Sequence, residues 1–341
     1  MSAVGAGVHD RALAALQGLA IGDALGMPTQ LMSRAAIAER FGAITGFRNA
    51  APDHPIAAGM PAGSITDDTE QAMLLARALI DGGGRIDPGD FAARLATWED
   101  GMRERGSLDL LGPSTRAAVG AVLSGVPPEE AGRAGTTNGA AMRVAPVGIA
   151  FPSDDLPRLV DAVRAASRVS HDTGIAIAGA SAVAAAVSAG LDGASLDDAI
   201  GLAVAAARHG ATLGTWIAGA DVAARIEWAV GLGRSARGDD GLARLLDLVG
   251  TSLQTQESVP AAFGLLARAE GRGWDATLAG AAAGGDTDTI AAMAGAIAGA
   301  LGGTAAFPAD AVDTVVRVSS LDTPPHDLAA LVDGLLALRA R

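Results

Sequence analysis

The stretch "GSITDDTEQAMLLARALIDGGG", residues 63–84, contains a complete helix signal. Threonine and aspartate precede an apolar run with helical spacing, and three glycines end it. A second stretch, "GDTDTIAAMAG" at 285–295, repeats part of this pattern. With Thr66 aligned on Asp286, the octets TDDTEQAM and DTDTIAAM share Asp, Thr, Ala and Met at their third, fourth, seventh and eighth positions. The two octets therefore predict two similar helix starts.

The rest of the chain indicates the same kind of structure. The segment "HDRALAALQGLAIGDALG" has helical spacing up to a Gly-Met-Pro stop, and further helices are expected over 155–170, 172–190 and 216–231, among others. Strand signals are weak, and only "AITGFRN" (43–49) is a candidate extended piece. No linker-like change in composition divides the sequence. We therefore predict an all-α fold in which residues 1–341 form one domain of packed helices.

The composition explains how such a core would be built. Half of the 341 residues are hydrophobic, but aromatic residues make up only 3% and tyrosine is absent. Ala, Leu, Val and Gly must fill the interior, which allows helices to approach closely. The apolar run at 176–191 is shorter than the roughly 20 residues that a membrane span needs. We expect it to be a buried helix.

The charge and the missing cysteines exclude several classes of function. A net charge of −13 disfavours binding to duplex nucleic acid or to an anionic membrane surface. The absence of Cys excludes thiolate nucleophiles and cysteine-ligated zinc. The N-terminal segment does not have the pattern of a secretory signal, so we expect the protein to be cytoplasmic.

The two acidic clusters have two interpretations. Asp67 followed by Glu70 has the spacing of a capping box, so it can simply start a helix. Asp286, Asp288 and Thr289 crowd a second helix start, and capping needs only one oxygen. Neighbouring carboxylates repel each other unless a cation lies between them. Several carboxylate and hydroxyl oxygens suit Mg²⁺ or Mn²⁺, and two such clusters meeting in space could hold a pair of ions.

Several motifs, in order along the chain, resemble those of the ADP-ribosylglycohydrolase family. Besides the two octets they are "GLAIGDALGMP" (18–28), "TNGAAMRVAPVGI" (137–149), "SHDTG" (170–174) and "ESVPAAFGLL" (257–266). The resemblance covers about residues 10 to 305. It implies an all-α enzyme that holds two divalent cations in a cleft between helix starts and cleaves glycosidic bonds at the ribose of ADP-ribose.

The resemblance also implies roles for individual residues. Thr66, Asp67 and Asp68 correspond to one set of metal ligands, and Asp286, Asp288 and Thr289 to the other. The cofactors would be two Mg²⁺ or Mn²⁺ ions. The catalytic carboxylate is expected among Asp67, Asp68 and Asp286. The residues expected around the substrate are Gln30, Asn138, Gly139, Met142, Arg143 and His171.

One position departs from the family pattern. Many members have a glutamate a few residues after "GDALG", where this chain has Gln30. An amide can hydrogen-bond a hydroxyl group but cannot take its proton. The substrate is therefore either an ADP-ribosylated protein or a small ribosyl metabolite such as a nucleoside. A non-catalytic, crystallin-like binding protein is a third alternative, and the sequence does not indicate an oligomeric state.

Three further expectations concern the surroundings of this site. Asp23, in an apolar helix, must be paired or hydrogen-bonded and is expected to be structural. The Gly- and Pro-rich segment 46–62 is either a loop over the cleft or a plain connector. His54, within that segment, has no partner pattern and is expected at the surface.

Overall fold

A computed structural model describes residues 3–108, 111–235, 238–324 and 326–341, with side chains described from residue 7 onward. These residues form eighteen α-helices and two short 3₁₀-helices, and no strand occurs among them. The first six helices are α1 (Ala3–Gly26), α2 (Arg34–Phe41), α3 (Asp67–Asp81), α4 (Pro88–Glu104), α5 (Pro113–Leu123) and α6 (Pro128–Ala131). The next six are α7 (Gly139–Met142), α8 (Ala145–Ala150), α9 (Leu156–His171), α10 (Gly174–Leu191), α11 (Leu196–Gly210) and α12 (Val222–Ser235). The last six are α13 (Gly238–Val249), α14 (Thr255–Arg268), α15 (Gly273–Ala281), α16 (Thr287–Gly302), α17 (Ala309–Ser319) and α18 (Leu328–Arg339). The all-α prediction is confirmed.

The 3₁₀-helices follow α1 (Met27–Thr29) and α16 (Gly303–Ala306). Residues 43–49, the candidate extended piece, form no strand. The predicted helix over 216–231 begins later, at Val222, because the preceding residues form an irregular connection that exposes Trp216. Helix α2 and the three short helices α6, α7 and α8 were not predicted, because each has at most eight residues and shows little periodicity.

The centre of the fold is a stack of small-residue helices. Helix α16 packs against α1, α10 and α15, and every residue of α10 is buried. Two helices, Gly174–Leu191 and Thr287–Ala306, are apolar and long enough to cross a membrane. They are 100% and 72% buried inside the protein, respectively, as expected for core helices. The predicted buried helix at 176–191 is therefore confirmed.

Glycine allows α1 and α16 to touch along their backbones. A Cβ added at Gly22 would lie 2.1 Å from the carbonyl oxygen of Ala291, and one at Gly18 would lie 2.3 Å from that of Gly295. At Gly26 the added atom would lie 2.3 Å from the backbone nitrogen of Asp288. Real Cβ atoms do not approach other atoms so closely, so only glycine fits at these positions. The contact fixes the last turn of α1 beside the first turn of α16.

We predict that Gly22→Ala lowers the free energy of unfolding by about 3 kcal/mol or more, because the methyl group meets a backbone carbonyl that cannot move alone. The matched control is Gly201→Ala in α11, where an added Cβ meets nothing within 4 Å. The control should be neutral or stabilising by about 0.5–1 kcal/mol, since alanine is the better helix former. Urea unfolding measures both. Equal effects of the two substitutions would contradict the proposed backbone contact.

Candidate functional site

The two octets do begin two helices, and in the same register. Thr66 is the N-cap of α3, and Asp286, the residue aligned with it, occupies the N-cap position of α16. The backbone N–H of Asp68 donates to the Thr66 hydroxyl, so Thr66 is the capping residue of α3. Glu70 accepts a hydrogen bond from the Trp98 indole instead of closing a capping box. The capping-box interpretation of Asp67 and Glu70 was therefore wrong, because Thr66 and not Asp67 is the capping residue.

Asp23 of α1 holds the start of α3 in place. Its carboxylate accepts hydrogen bonds from the backbone N–H groups of Thr66 and Thr69, at 3.0 and 3.2 Å, and from both threonine hydroxyls. Burial raises the pKa of Asp23 to about 6, although these hydrogen bonds act to lower it. The expected structural role of Asp23 agrees with this geometry.

A cavity of about 250 Å³ lies where the first turns of α3 and α16 meet. Nine of the predicted site residues line it: Gln30, Asp67, Asp68, Asn138, Gly139, Met142, Asp286, Asp288 and Thr289. Three others lie behind its wall: Thr66, Arg143 and His171. The wall also contains residues that were not predicted individually: Thr115, Arg116, Thr137 and the apolar Leu31, Ile56, Leu108, Leu111, Pro113 and Leu253.

Three of the four carboxylates in this cavity, those of Asp68, Asp286 and Asp288, are buried, and Asp67 is half-buried. Burial raises the pKa of Asp68 well above its ordinary value, and the charges of Asp288 and Asp67 raise it further. The pKa of Asp286 is raised to about 6 by burial, against hydrogen bonds from Asn138 and Thr289. Such a cluster is costly unless protons or a cation compensate it.

The donor set fits a hard divalent cation. Asp68 Oδ2 accepts a hydrogen bond from the Thr289 hydroxyl at 3.2 Å, whereas the buried Asp68 Oδ1 accepts none. In the described part of the chain, no three carboxylate, imidazole or thiolate groups are clustered closely enough to hold an ion by themselves. Threonine hydroxyls and water would therefore have to complete the coordination, as Mg²⁺ commonly allows.

Asn138 connects Asp286 at the start of α16 to Ser258 of α14. Its side-chain amide donates to Asp286 Oδ2 and to the Ser258 hydroxyl, the latter at 2.9 Å. Its backbone N–H donates to the carbonyl of Leu253 at 2.9 Å. The Asp286 side chain makes no cap to its own helix, so this amide orients it toward the cavity.

Arg143 orients Asp67 from inside the protein. The guanidinium is buried and donates to Gln71 Oε1 at 3.0 Å, and Gln71 Nε2 donates to Asp67 Oδ2 at 2.7 Å. Burial lowers the pKa of Arg143 to about 10, while Asp67 acts to raise it. Arg143 therefore acts on Asp67 through Gln71 and does not line the cavity. Gln71 was not predicted as a site residue, because nothing near it in sequence indicates its partners Asp67 and Arg143.

His171 lies behind Gly139 and Thr137. Its Nε2 lies 3.0 Å from the Thr137 hydroxyl, and its Nδ1 lies 2.8 Å from the Ser170 hydroxyl. A Cβ on Gly139 would lie 2.9 Å from the imidazole Cε1, so the glycine makes room for the ring. Burial lowers the pKa of His171 well below its ordinary value, and the Arg143 charge lowers it further. His171 is thus a neutral ring that positions Thr137.

Gln30 faces the cavity with a buried amide. Its Nε2 makes no hydrogen bond to protein, while its backbone oxygen contacts His54 Nε2 at 3.1 Å. His54 is only 4% exposed, so the prediction that it lies at the surface was wrong. Its contact with Gln30 holds the segment 46–62 in place. Ile56 of that segment lines the cavity. The next residue, Leu31, has φ of 62°, which is a strained backbone conformation for leucine. A hydrogen bond of 2.8 Å from the Leu31 N–H to the carbonyl of Gly285 stabilises this conformation.

Comparisons with known proteins agree with this architecture. The ADP-ribosylglycohydrolase family model matches residues 5–341. An uncharacterized protein of Escherichia coli, YegU, is 36% identical over 315 residues, which is 92% of this chain and 94% of its own. The ADP-ribosyl-[dinitrogen reductase] glycohydrolase of Rhodospirillum rubrum is 33% identical over 179 residues, 49% of this chain and 53% of its own. A solved ADP-ribosylglycohydrolase-related protein complex superposes with a TM-score of 0.70 at 27% identity, covering 97% of this chain and 98% of that one.

The buried His171 gives a prediction about pH. Its folded pKa is lowered, whereas in the unfolded chain the pKa is about 6.5. The unfolded chain therefore takes up a proton first, so this contribution to stability is complete above pH ~6.5 and is lost as the pH falls below it.

The free energy of unfolding should fall with pH between about pH 6.5 and 5 in both proteins, but less steeply in His171→Asn. The two slopes should differ by up to about 1.4 kcal/mol per pH unit, the value for one proton. Urea unfolding across this range measures both slopes. Parallel slopes would show that His171 is not a buried neutral ring.

Proposed function

Since the chain belongs to the ADP-ribosylglycohydrolase family and is a glycohydrolase, we propose that it cleaves the bond at the anomeric carbon of a ribosyl group. Two divalent cations would assist this cleavage. The observation that carries the proposal is the convergence of Asp67 and Asp68 with Asp286 and Asp288 in one cavity. These carboxylates come from two helices far apart in sequence. Cations that lie between these carboxylates would offset their mutual repulsion.

Residues of both octets would hold the cations. Thr66, Asp67 and Asp68 form one proposed set, and Asp286, Asp288 and Thr289 the other. The Thr66 hydroxyl donates its proton to Asp23 at 2.8 Å, which leaves its oxygen lone pairs for the backbone N–H of Asp68 or for an ion. When bound, Mg²⁺ or Mn²⁺ supplies positive charge for ribose hydroxyls and for any substrate phosphate.

The chain's own groups would handle the substrate. Asp67, held through Gln71 and Arg143, is oriented to accept a proton from an attacking water. Asp68 and Asp286 are the other two candidates for this role. The Gln30 amide can donate a hydrogen bond to a ribose hydroxyl but cannot act as the base. The apolar wall of the cavity, including Met142 and Leu253, would limit the access of other water molecules.

The favoured substrate is an ADP-ribosylated acceptor, with free ADP-ribose as product. The name of the Rhodospirillum rubrum relative gives such an acceptor, a modified protein. The oxygen-rich cleft fits this chemistry, because cations would offset the charge of the pyrophosphate in a chain with a net charge of −13. The reaction needs only water as second substrate.

A second candidate is an N-glycosidase for a small ribosyl metabolite such as a nucleoside. The cavity of about 250 Å³ is smaller than the ~300–1,000 Å³ usual for ligand pockets. In the described part of its wall, Arg116 is the sole basic side chain, which offers little to a pyrophosphate. These observations, together with Gln30 in the cavity, are the reasons for a second candidate that is smaller and less charged.

A substrate panel distinguishes the two candidates. With Mg²⁺ or Mn²⁺ present, we expect release of ADP-ribose from ADP-ribosyl-arginine or ADP-ribosyl-serine, measured by chromatography, with purine and pyrimidine nucleosides assayed in parallel. Release of free base from nucleosides alone would reject the first candidate.

The metal proposal has its own test. The double variant Asp68→Asn, Asp288→Asn should lose divalent-cation binding in isothermal titration calorimetry, because it removes one carboxylate from each octet. The matched control is Asp310→Asn, Asp313→Asn, which makes the same change in charge at two exposed positions of α17. The control should bind Mn²⁺ as the wild type does. Undiminished binding by the first variant would refute the proposed ligand sets.

A further inference from the structure

A series of hydrogen bonds links the buried Arg143 to the wall of the cavity between α3 and α16. It runs from the Arg143 guanidinium to the Ser170 hydroxyl, then through the His171 imidazole to the hydroxyl of Thr137, which lines the cavity. The first three residues are at most 1% exposed, so water does not interrupt the series. The positions of its protons follow from the chemistry of its first member.

Arg143 fixes the direction of the first two hydrogen bonds. A guanidinium can only donate, so the Ser170 oxygen accepts from it. In the described part of the chain, His171 Nδ1, at 2.8 Å, is the other polar partner of the Ser170 hydroxyl. The Ser170 proton therefore points to Nδ1, and Nδ1 accepts.

The His171 ring carries this direction on to Thr137. A neutral imidazole has one N–H, so an accepting Nδ1 leaves the proton on Nε2. The ring is neutral because burial and the charge of Arg143 both lower its pKa. The Nε2–H then donates to the Thr137 oxygen, which lies 3.0 Å away. Thr137 accepts this hydrogen bond, so its own hydroxyl proton points away from the ring.

The remaining direction for the Thr137 proton is the cavity. Thr137 is half-buried and lines the cavity, and within the described residues its hydroxyl has no partner besides His171. Its carbonyl accepts from the Thr255 hydroxyl at 2.9 Å, which holds the main chain in place. Gly139 belongs to the same wall, and a Cβ there would lie 3.3 Å from His171 Nε2. The protonated edge of the ring therefore lies directly behind the cavity surface.

A hydrogen-bond donor complements the acidic side of this cavity. Carboxylates accept from the hydroxyl groups of a ligand, but they repel ligand oxygens that carry no proton. Two other donors of the wall are already used, because Asn138 donates to Asp286 and Thr289 donates to Asp68. A ligand oxygen without a proton therefore needs a partner such as Thr137.

We propose that Thr137 donates a hydrogen bond to an oxygen of the ribosyl substrate that carries no proton. Such an oxygen occurs in the ribose ring and in a phosphate, and both offer the same acceptor chemistry. Arg143, Ser170 and His171 are positioning residues, because they act on the substrate through Thr137. The identity of the ligand rests on the proposed function, whereas the direction of the hydrogen bonds is a property of the free protein.

Nitrogen NMR of the full chain, isotope-labelled in histidine, tests the direction without any ligand. We expect His171 to carry its proton on Nε2. The variant His171→Asn identifies the signals of this ring among those of the five histidines. A proton on Nδ1 would overturn the proposal, because the Nε2 atom would then accept the Thr137 proton and leave none for the cavity.

Calorimetry with Mg²⁺ present tests the contact with the substrate, using ADP-ribose and adenosine as probes. Thr137→Val keeps the shape of the side chain but removes the hydroxyl, and it should raise the Kd by about tenfold through loss of one hydrogen bond. Thr137→Ser keeps the hydroxyl and should bind as the wild type does. Thr97→Val is the matched control, because it makes the same change at an exposed position of α4 and should leave the Kd unchanged.

The two probes also locate the acceptor. A weaker affinity of Thr137→Val for adenosine supports the proposal and places the acceptor on the ribosyl group, and a loss for ADP-ribose alone supports it and places the acceptor on the pyrophosphate. Unchanged affinities in Thr137→Val would overturn the proposal. So would an equal loss in Thr137→Ser, since the hydroxyl would then not be the cause. If neither probe bound to the wild type, the proposed function would fail, and the position of the His171 proton would still decide whether Thr137 donates into the cavity.

Discussion

The backbone contact between α1 and α16 positions both acidic helix starts. Gly22 lies against the carbonyl of Ala291, and Gly26 lies against the backbone of Asp288, at distances that leave no room for a Cβ. Asp23 directly follows Gly22 on α1, and its carboxylate accepts hydrogen bonds from the first residues of α3. One pair of touching helices thereby sets the separation of the two acidic helix starts.

This arrangement places carboxylates in an environment that opposes their ionisation. Desolvation raises the pKa of Asp23, Asp68 and Asp286. Hydrogen bonds reverse only part of that effect at Asp23 and Asp286, and neighbouring carboxylates raise the pKa of Asp68 further. Buried acids of this kind destabilise a fold as the pH rises, because the unfolded chain ionises more readily. A protein that keeps such a cluster gains something other than stability from it, and cation binding is the simplest explanation.

Much of this could be predicted from the sequence because helix periodicity, caps and the paired octets are local signals. The octets predicted both helix starts and brought Asp68 and Asp288 into one proposed site. The sequence could not indicate which side chains point inward. Arg143 was expected to meet substrate, yet it is buried and acts through Gln71, whose role depends on contacts between distant segments. His54 was misplaced for the same reason, because its partner is a backbone oxygen from another segment.

Crystals grown with Mn²⁺ and measured at the manganese absorption edge would show whether the two acidic helix starts bind cations together. We expect two anomalous difference peaks in the cavity lined by Asp67, Asp68, Asp286 and Asp288. The protein would then use its two acidic helix starts as a pair of ion sites. An empty cavity, or manganese bound only at surface carboxylates, would show that the two helix starts share no ligand.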